Sequence, residues 1–143
     1  MNKISGKIIN YDSSYTGTIE FSDKIEFVYK NKQSDFENII IPGFIDLHCH
    51  GGNSFDTMAG LSSIIEMSKY HLKHGTTTLL PTTLTASLDD TIKAIEGLNN
   101  FIDQNNNLTN ILGVHLEGPF INPNKLGAQP SCTQLPNINF IKK

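Results

Sequence analysis

Over the first forty residues, short runs rich in β-branched and aromatic side chains (7–10, 16–21 and 25–29) alternate with the polar clusters Asp12-Ser13-Ser14 and Ser22-Asp23-Lys24. That rhythm predicts a small antiparallel sheet. From Ile39 the pattern changes. An apolar run, Ile39-Ile40-Ile41-Pro42-Gly43-Phe44-Ile45-Asp46-Leu47, leads into His48-Cys49-His50-Gly51-Gly52, and it predicts one buried strand ending in a glycine loop. Residues 61–74 carry Leu61, Ile64, Ile65, Ser68 and Leu72 at helical spacing, with Ser63 and Glu66 spaced as a capping box and Gly75 as a C-terminal stop. The β-branched run 76–83 predicts a second strand. Ser87, with Asp89 and Asp90, opens a second helix whose apolar stripe is Ile92, Ile95, Leu98 and Ile102, and Asn105-Asn106-Asn107 closes it. A third strand, 111–117, runs into Gly118-Pro119-Phe120.

Strands alternating with helices of this length predict an α/β fold of parallel βαβ units, right-handed and wound around one core. The seam falls near Pro42, giving a β-rich segment over 1–41 and the first βα units of a barrel over 42–143. Residues 129–143 predict no element. A (β/α)₈ barrel needs roughly 200 residues or more, and only the first strands fit here, so the chain is expected to stop before the barrel is complete.

Composition narrows the function classes. The 143 residues are 38% hydrophobic and 17% charged with a net charge of −3, a globular composition without the basic stripe that nucleic acid requires. No apolar stretch approaches a membrane span or the core of a leader peptide, which leaves a cytoplasmic protein with no membrane partner as the expectation. Cys49 and Cys132 are the two cysteines; they lie far apart and are expected to be reduced.

Alternation along a strand sets Asp46, His48 and His50 on one face and Ile45, Leu47 and Cys49 on the other. The same rule joins His115 to Glu117 and puts Leu112, Val114 and Leu116 opposite, under the covering helices. Both strands are thus polar inward at their C-terminal ends, the rim where parallel barrels build their sites. Two imidazoles and a carboxylate there suit Zn²⁺ or a similar first-row divalent ion. The competing reading makes the histidines satisfied polar residues and Glu117 a capping or salt-bridging acid. His71 and His74 read as surface or supporting residues near a helix C-terminus, Cys49 as a small core residue, and Thr82 or Thr83 as side chains able to reach a ligand.

The segment from Pro42 to Gly52 resembles the metal-binding signature that opens the barrel of the amidohydrolase superfamily, and His74-Gly75-Thr76-Thr77-Thr78 followed by Pro81-Thr82 is similar to its second barrel strand. His115-Leu116-Glu117-Gly118-Pro119-Phe120, followed by Gly127-Ala128-Gln129, resembles the N-acetylglucosamine-6-phosphate deacetylase family. The resemblance implies the N-terminal portion of a TIM-like hydrolase barrel capped by a small β-sandwich domain. It implies Glu117 as the central metal ligand, with His48 and His50 holding a second ion in two-metal members. One or two ions are implied, Zn²⁺ first, with Fe²⁺, Mn²⁺ or Co²⁺ as alternatives. Ala128 and Gln129 match the loop that contacts the sugar phosphate. Two later histidines and an aspartate acting as general acid/base belong to the family pattern and lie beyond Lys143. The full-length enzyme implied is a homodimer releasing glucosamine 6-phosphate and acetate, while 143 residues alone are expected to be inactive. The alternatives are another amidohydrolase, such as a dihydroorotase-like or hydantoinase-like cyclic amidase, and a non-catalytic truncated product.

Overall fold

The structure, a computed structural model, describes residues 1–31, 37–104 and 108–142. The chain forms two compact units, Met1–Pro42 and Gly43–Lys143. In the first, β1 (Asn2–Ile9), β2 (Ser14–Phe21), β3 (Ile25–Lys30) and β4 (Ile39–Ile40) form one sheet in the order β3-β2-β1-β4. β1 and β2 pair antiparallel from Asn2↔Phe21 to Ile9↔Ser14. Regular pairing therefore begins five residues before the run at Lys7 announces it. Lys3 and Glu20 sit opposite each other and form an ion pair at 2.5 Å. β4 lies parallel to β1, with Lys7↔Ile39 in register, so the sheet is not wholly antiparallel.

The apolar run that begins at Ile39 is two strands, not one. β4 ends at Ile40, and β5 (Phe44–Cys49) starts a different sheet beyond Pro42, whose missing N–H cannot contribute to a ladder. Gly43 fits there because a Cβ would stand 2.1 Å from Thr77 Oγ1. Nor is β5 buried along its length: Ile45 is 63% and Leu47 59% exposed. β5 is an edge of its three-stranded parallel sheet, where it pairs with β8 (Thr76–Pro81), which in turn pairs with β9 (Asn110–Ile111). Only its Cys49 end is covered, by Met67, Leu79 and the partly buried Phe55.

The rest of the second unit follows as β6 (Gly51–Gly52), β7 (Phe55–Asp56), α1 (Leu61–Lys73), β8 (Thr76–Pro81), α2 (Leu88–Asp103), β9 (Asn110–Ile111) and α3 (Ile138–Ile141). α1 begins at Gly60, not at a capping box: no side chain caps it, Ser63 Oγ bonds the backbone N–H and carbonyl of Asp56 at 2.8 Å each, and Glu66 pairs with Lys69. Its other end matches expectation. Gly75 takes φ +91°, the left-handed turn that ends helices without a Cβ penalty. In α2, Ser87 Oγ accepts the Asp90 N–H at 3.1 Å as an N-cap should. The Asn105-Asn106-Asn107 stop lies outside the described residues.

The buried face of α2 is rotated from the stripe its large residues suggest. Thr91, Ala94, Gly97, Leu98 and Phe101 face inward, whereas Ile102 is 44% exposed. The reason is close helix approach: a Cβ on Gly97 would meet Leu61 N at 3.2 Å and Gly60 Cα at 3.3 Å, so small residues carry the contact with α1. Ile64, Leu98, Phe101 and Ile111 form the core beneath, joined by Leu61, Ile65, Leu108 and Val114. Ile92 and Ile95 instead line an apolar groove with Val114, Leu116, Phe140 and Ile141.

The third strand is regular only over Asn110–Ile111. Pairing resumes at the bridge Thr82↔His115. Between Leu79↔Ile111 and that bridge, the β8 side advances three residues and the other side four, so a bulge occupies residues 112–114. The extra residue breaks the expected alternation: Ile111 and Val114 share the core, and Leu112 is turned out, 62% exposed. Among the described residues no helix is long and apolar enough to cross a membrane.

Candidate metal centre

A second irregularity shapes the site. Between Asp46↔Leu79 and Cys49↔Pro81, β5 advances three residues against two in β8, leaving an additional residue near Leu47 and His48. Bulges of this kind leave a main-chain N–H without a ladder partner and re-aim side chains. Here the His48 N–H donates to Asp46 Oδ1 at 3.0 Å, which satisfies the orphaned donor and commits the Asp46 carboxylate to its own strand.

The segment after the bulge is pinned on several sides. Cys49 N–H donates to Thr82 Oγ1 at 2.8 Å, Thr82 N–H to Cys49 O at 2.7 Å, and Thr57 N–H to His50 O at 2.8 Å. From α1, His71 Nε2 lies 3.2 Å from both Gly51 O and Cys49 Sγ. The carbonyl can only accept, so that ring nitrogen carries the proton. Gly52 faces the same ring: a Cβ there would lie 2.8 Å from His71 Nε2. His71 thus braces the loop, while His74 turns back to Tyr70 O at 2.8 Å. Cys49 is buried, as a core residue would be, and burial pushes its thiol above the usual range, while hydrogen bonding with the Gly51 main chain acts the other way.

On this frame His48 Nε2 and His50 Nε2 stand 3.2 Å apart. Glu117 Oε2 is 2.8 Å from the first and 3.3 Å from the second. Two ligands each about 2.0–2.1 Å from a tetrahedral ion lie about 3.3 Å apart, so the three atoms have the spacing of a shared coordination sphere. The orientation agrees. Glu117 Oε2 is buried and, for all its closeness to the imidazoles, makes no hydrogen bond, while the two imidazole Nε2 atoms face each other at hydrogen-bond distance. A buried carboxylate oxygen without a donor is costly, and a divalent cation would remove that cost. The residues present fit such an ion.

Further side chains hold this set. His115 directs Nδ1–H to Leu47 O at 3.1 Å, and its ring meets that of His48 edge-on at 4.4 Å. Thr82 and Thr83 are fully buried, and both hydroxyls are engaged with main chain: Thr82 with Cys49 and Leu80, Thr83 with Glu117. They fasten strands and do not face a ligand. Gln129 Nε2 donates to Glu117 Oε1 at 2.5 Å, while its Oε1 accepts the Thr85 N–H at 2.8 Å. Ala128 is exposed on the same loop. Sequence reasoning found the three converging residues and overlooked their supports, since a hydrogen bond from Gln129 to Glu117 leaves no periodic signal.

The chain belongs to the amidohydrolase family, whose model matches residues 39–139. Within that class its relatives are amino-sugar-phosphate deacetylases. It is 37% identical over 105 residues to the N-acetylglucosamine-6-phosphate deacetylase of Bacillus subtilis, a match that covers 71% of this chain and 26% of the relative. It is 31% identical over 93 residues to an N-acetylgalactosamine-6-phosphate deacetylase of Escherichia coli O157:H7, covering 64% and 25%. The crystal structure of N-acetylglucosamine-6-phosphate deacetylase from Thermotoga maritima superposes with a TM-score of 0.88 at 30% identity, covering 99% of this chain and 39% of that one. The chain therefore spans about a quarter of the length of these curated relatives.

Proposed function

We propose that this chain supplies the N-terminal part of a divalent-metal-dependent deacetylase that hydrolyses the acetamide of N-acetylglucosamine 6-phosphate to glucosamine 6-phosphate and acetate. The observation that carries the reading is the convergence of His48, His50 and Glu117 within 4.8 Å of one another. In this reading the parallel sheet is the opening of a TIM-like barrel, and the first unit contributes strands to a small β-sandwich domain. A cytosolic homodimer belongs to the same reading and rests on the family resemblance alone.

His48, His50 and Glu117 would hold the ion, Zn²⁺ by preference for two imidazoles and a carboxylate, with Fe²⁺, Mn²⁺ or Co²⁺ compatible with the same donors. When bound, the ion supplies Lewis-acid activation of water and of the acetyl carbonyl. The chain's own contribution is positional: the bulged β5 presents the imidazoles, Thr83 fixes the Glu117 main chain and Gln129 its carboxylate, and the loop bearing Ala128 and Gln129 faces the sugar phosphate. The proton transfer from water to the departing amine needs a general acid/base, which we assign to an aspartate beyond this chain. The 143 residues alone are then inactive.

N-acetylglucosamine 6-phosphate is favoured over its galactosamine epimer by the higher identity to the B. subtilis relative, 37% against 31%. A cyclic amidase is disfavoured because Glu117-Gly118-Pro119 stands where those enzymes carry a modified lysine. The test is metal analysis with a deacetylation assay on both sugar phosphates, using a polypeptide that extends this chain through a complete barrel. Wild type should carry metal and release acetate, and Glu117→Gln should lose both. Unchanged metal content and turnover in Glu117→Gln would remove Glu117 from the site.

A further inference from the structure

The loop that carries Gln129 holds a turn, Gln129 N–H to Leu126 O at 3.1 Å, and is tied back beside Glu117 by Gln134 N–H to Pro119 O at 2.9 Å. Its amide then spans two strand ends. The Thr85 N–H can only donate, so it must meet the amide oxygen; the Glu117 carboxylate accepts, so it must meet the amide nitrogen. Neither partner tolerates a flipped amide. With Oε1 of Glu117 taken by Gln129, Oε2 is the oxygen that remains free, and it is the one lying 2.8 and 3.3 Å from the two imidazoles.

We infer that Gln129 is a positioning residue for the metal centre: it selects Oε2 of Glu117 as the ligand atom and keeps that carboxylate monodentate. This goes beyond the sugar-phosphate contact implied by its place in the loop, because both ends of the amide are already engaged within the protein. The inference rests on the reading of Glu117 as a metal ligand. Partners that hydrogen-bond a ligating group commonly change metal affinity by about 10–100-fold when removed, because the ligand then loses its set orientation.

The test is a Co²⁺ titration read by visible absorption and by competition with a chromophoric chelator, on wild type, Glu117→Gln, Gln129→Met and Gln129→Asn, with thermal unfolding of each metal-free protein alongside. Met keeps the length of Gln129 and removes both hydrogen bonds. Asn stays polar but is one methylene short of bridging Thr85 and Glu117, which provides a second, independent break. The expected result is a 10–100-fold weaker Co²⁺ affinity in both Gln129 variants, with displaced visible bands, and a larger loss in Glu117→Gln. A purely structural role would lower metal-free stability and leave the Co²⁺ spectrum and affinity of the folded protein alone. Wild-type affinity and bands in the Gln129 variants, with Glu117→Gln impaired, would overturn the inference and leave the metal reading standing. Wild-type Co²⁺ binding in Glu117→Gln would overturn both.

Discussion

The Thr83 hydroxyl serves both main-chain groups of Glu117: Oγ1 accepts the Glu117 N–H at 3.0 Å and donates to the Glu117 carbonyl at 3.1 Å. It does so just past the end of β8, where regular pairing has stopped and Thr82↔His115 is an isolated bridge. One side chain therefore stands in for a missing pair of ladder bonds at the residue whose carboxylate reaches His48.

Replacing Thr83 with Val keeps the shape and deletes the hydroxyl. Thr83 is fully buried, so the change leaves two main-chain groups without partners, which costs about 1–3 kcal/mol per orphaned group. A loss of at least about 2 kcal/mol in urea unfolding is expected for Thr83→Val, and a much smaller one for Thr83→Ser. Equal stability of Thr83→Val and wild type would show that this hydroxyl is not what holds Glu117.

Gly118 follows at φ +72°, and a Cβ there would stand 2.3 Å from Thr85 Oγ1 and 2.8 Å from Thr85 Cα. Strain and collision act together: the left-handed conformation alone costs a residue with a Cβ of order 1–3 kcal/mol, and backbone cannot yield as a side-chain tip can. Gly118→Ala should therefore destabilise by more than about 2 kcal/mol, measured as a lowered unfolding midpoint. Because Thr85 also holds Gln129, metal affinity should fall in the folded fraction. An alanine variant as stable as wild type would contradict this geometry.

What the sequence made legible is what depends on local alternation and local chemistry. His48 and His50 share a face because they are two residues apart, and Glu117 arrives at a strand end beside a Gly-Pro turn; no tertiary knowledge is needed to bring them forward. The two bulges are different. An extra residue near Leu47 and His48, and another within 112–114, exist only relative to β8, so Leu112 turns outward where simple alternation predicts it inside, and the support Asp46 gives His48 leaves no sequence signal. The capping box at Ser63 failed because that hydroxyl is engaged by Asp56, a partner outside the helix. The close approach at Gly97 escaped because a residue without a side chain carries no hydrophobic signal even where it decides how closely two helices approach.

That rotated face can be tested directly. Leu98 is nearly fully buried and Ile102 is 44% exposed, although the sequence stripe weights them alike. Leu98→Ala should destabilise by about 2–5 kcal/mol through lost transfer energy and a residual cavity, whereas Ile102→Ala should cost about 1 kcal/mol or less. Comparable losses in denaturant unfolding would put the buried stripe back on the large residues.

The N-terminus of α2 carries an acid-sensitive device. The Ser87 hydroxyl donates to Asp90 Oδ2 at 2.7 Å while its oxygen accepts the Asp90 N–H, and Lys93 lies 3.2 Å from Oδ1. The Ser87 hydrogen bond first, then the hydrogen bond and charge of Lys93, hold the Asp90 carboxyl below the usual carboxylate range. A depressed folded-state pKa means the folded chain prefers the ionised form, so the contribution to stability is fully present above the unfolded-state pKa. It is lost as pH falls through the folded value. Removing the hydroxyl should move the Asp90 midpoint upward, and adding salt should weaken only the part due to Lys93. Side-chain carboxyl chemical shifts followed against pH in wild type and Ser87→Ala give the check. Coincident titration curves would mean that Ser87 does not set the affinity of Asp90 for its proton.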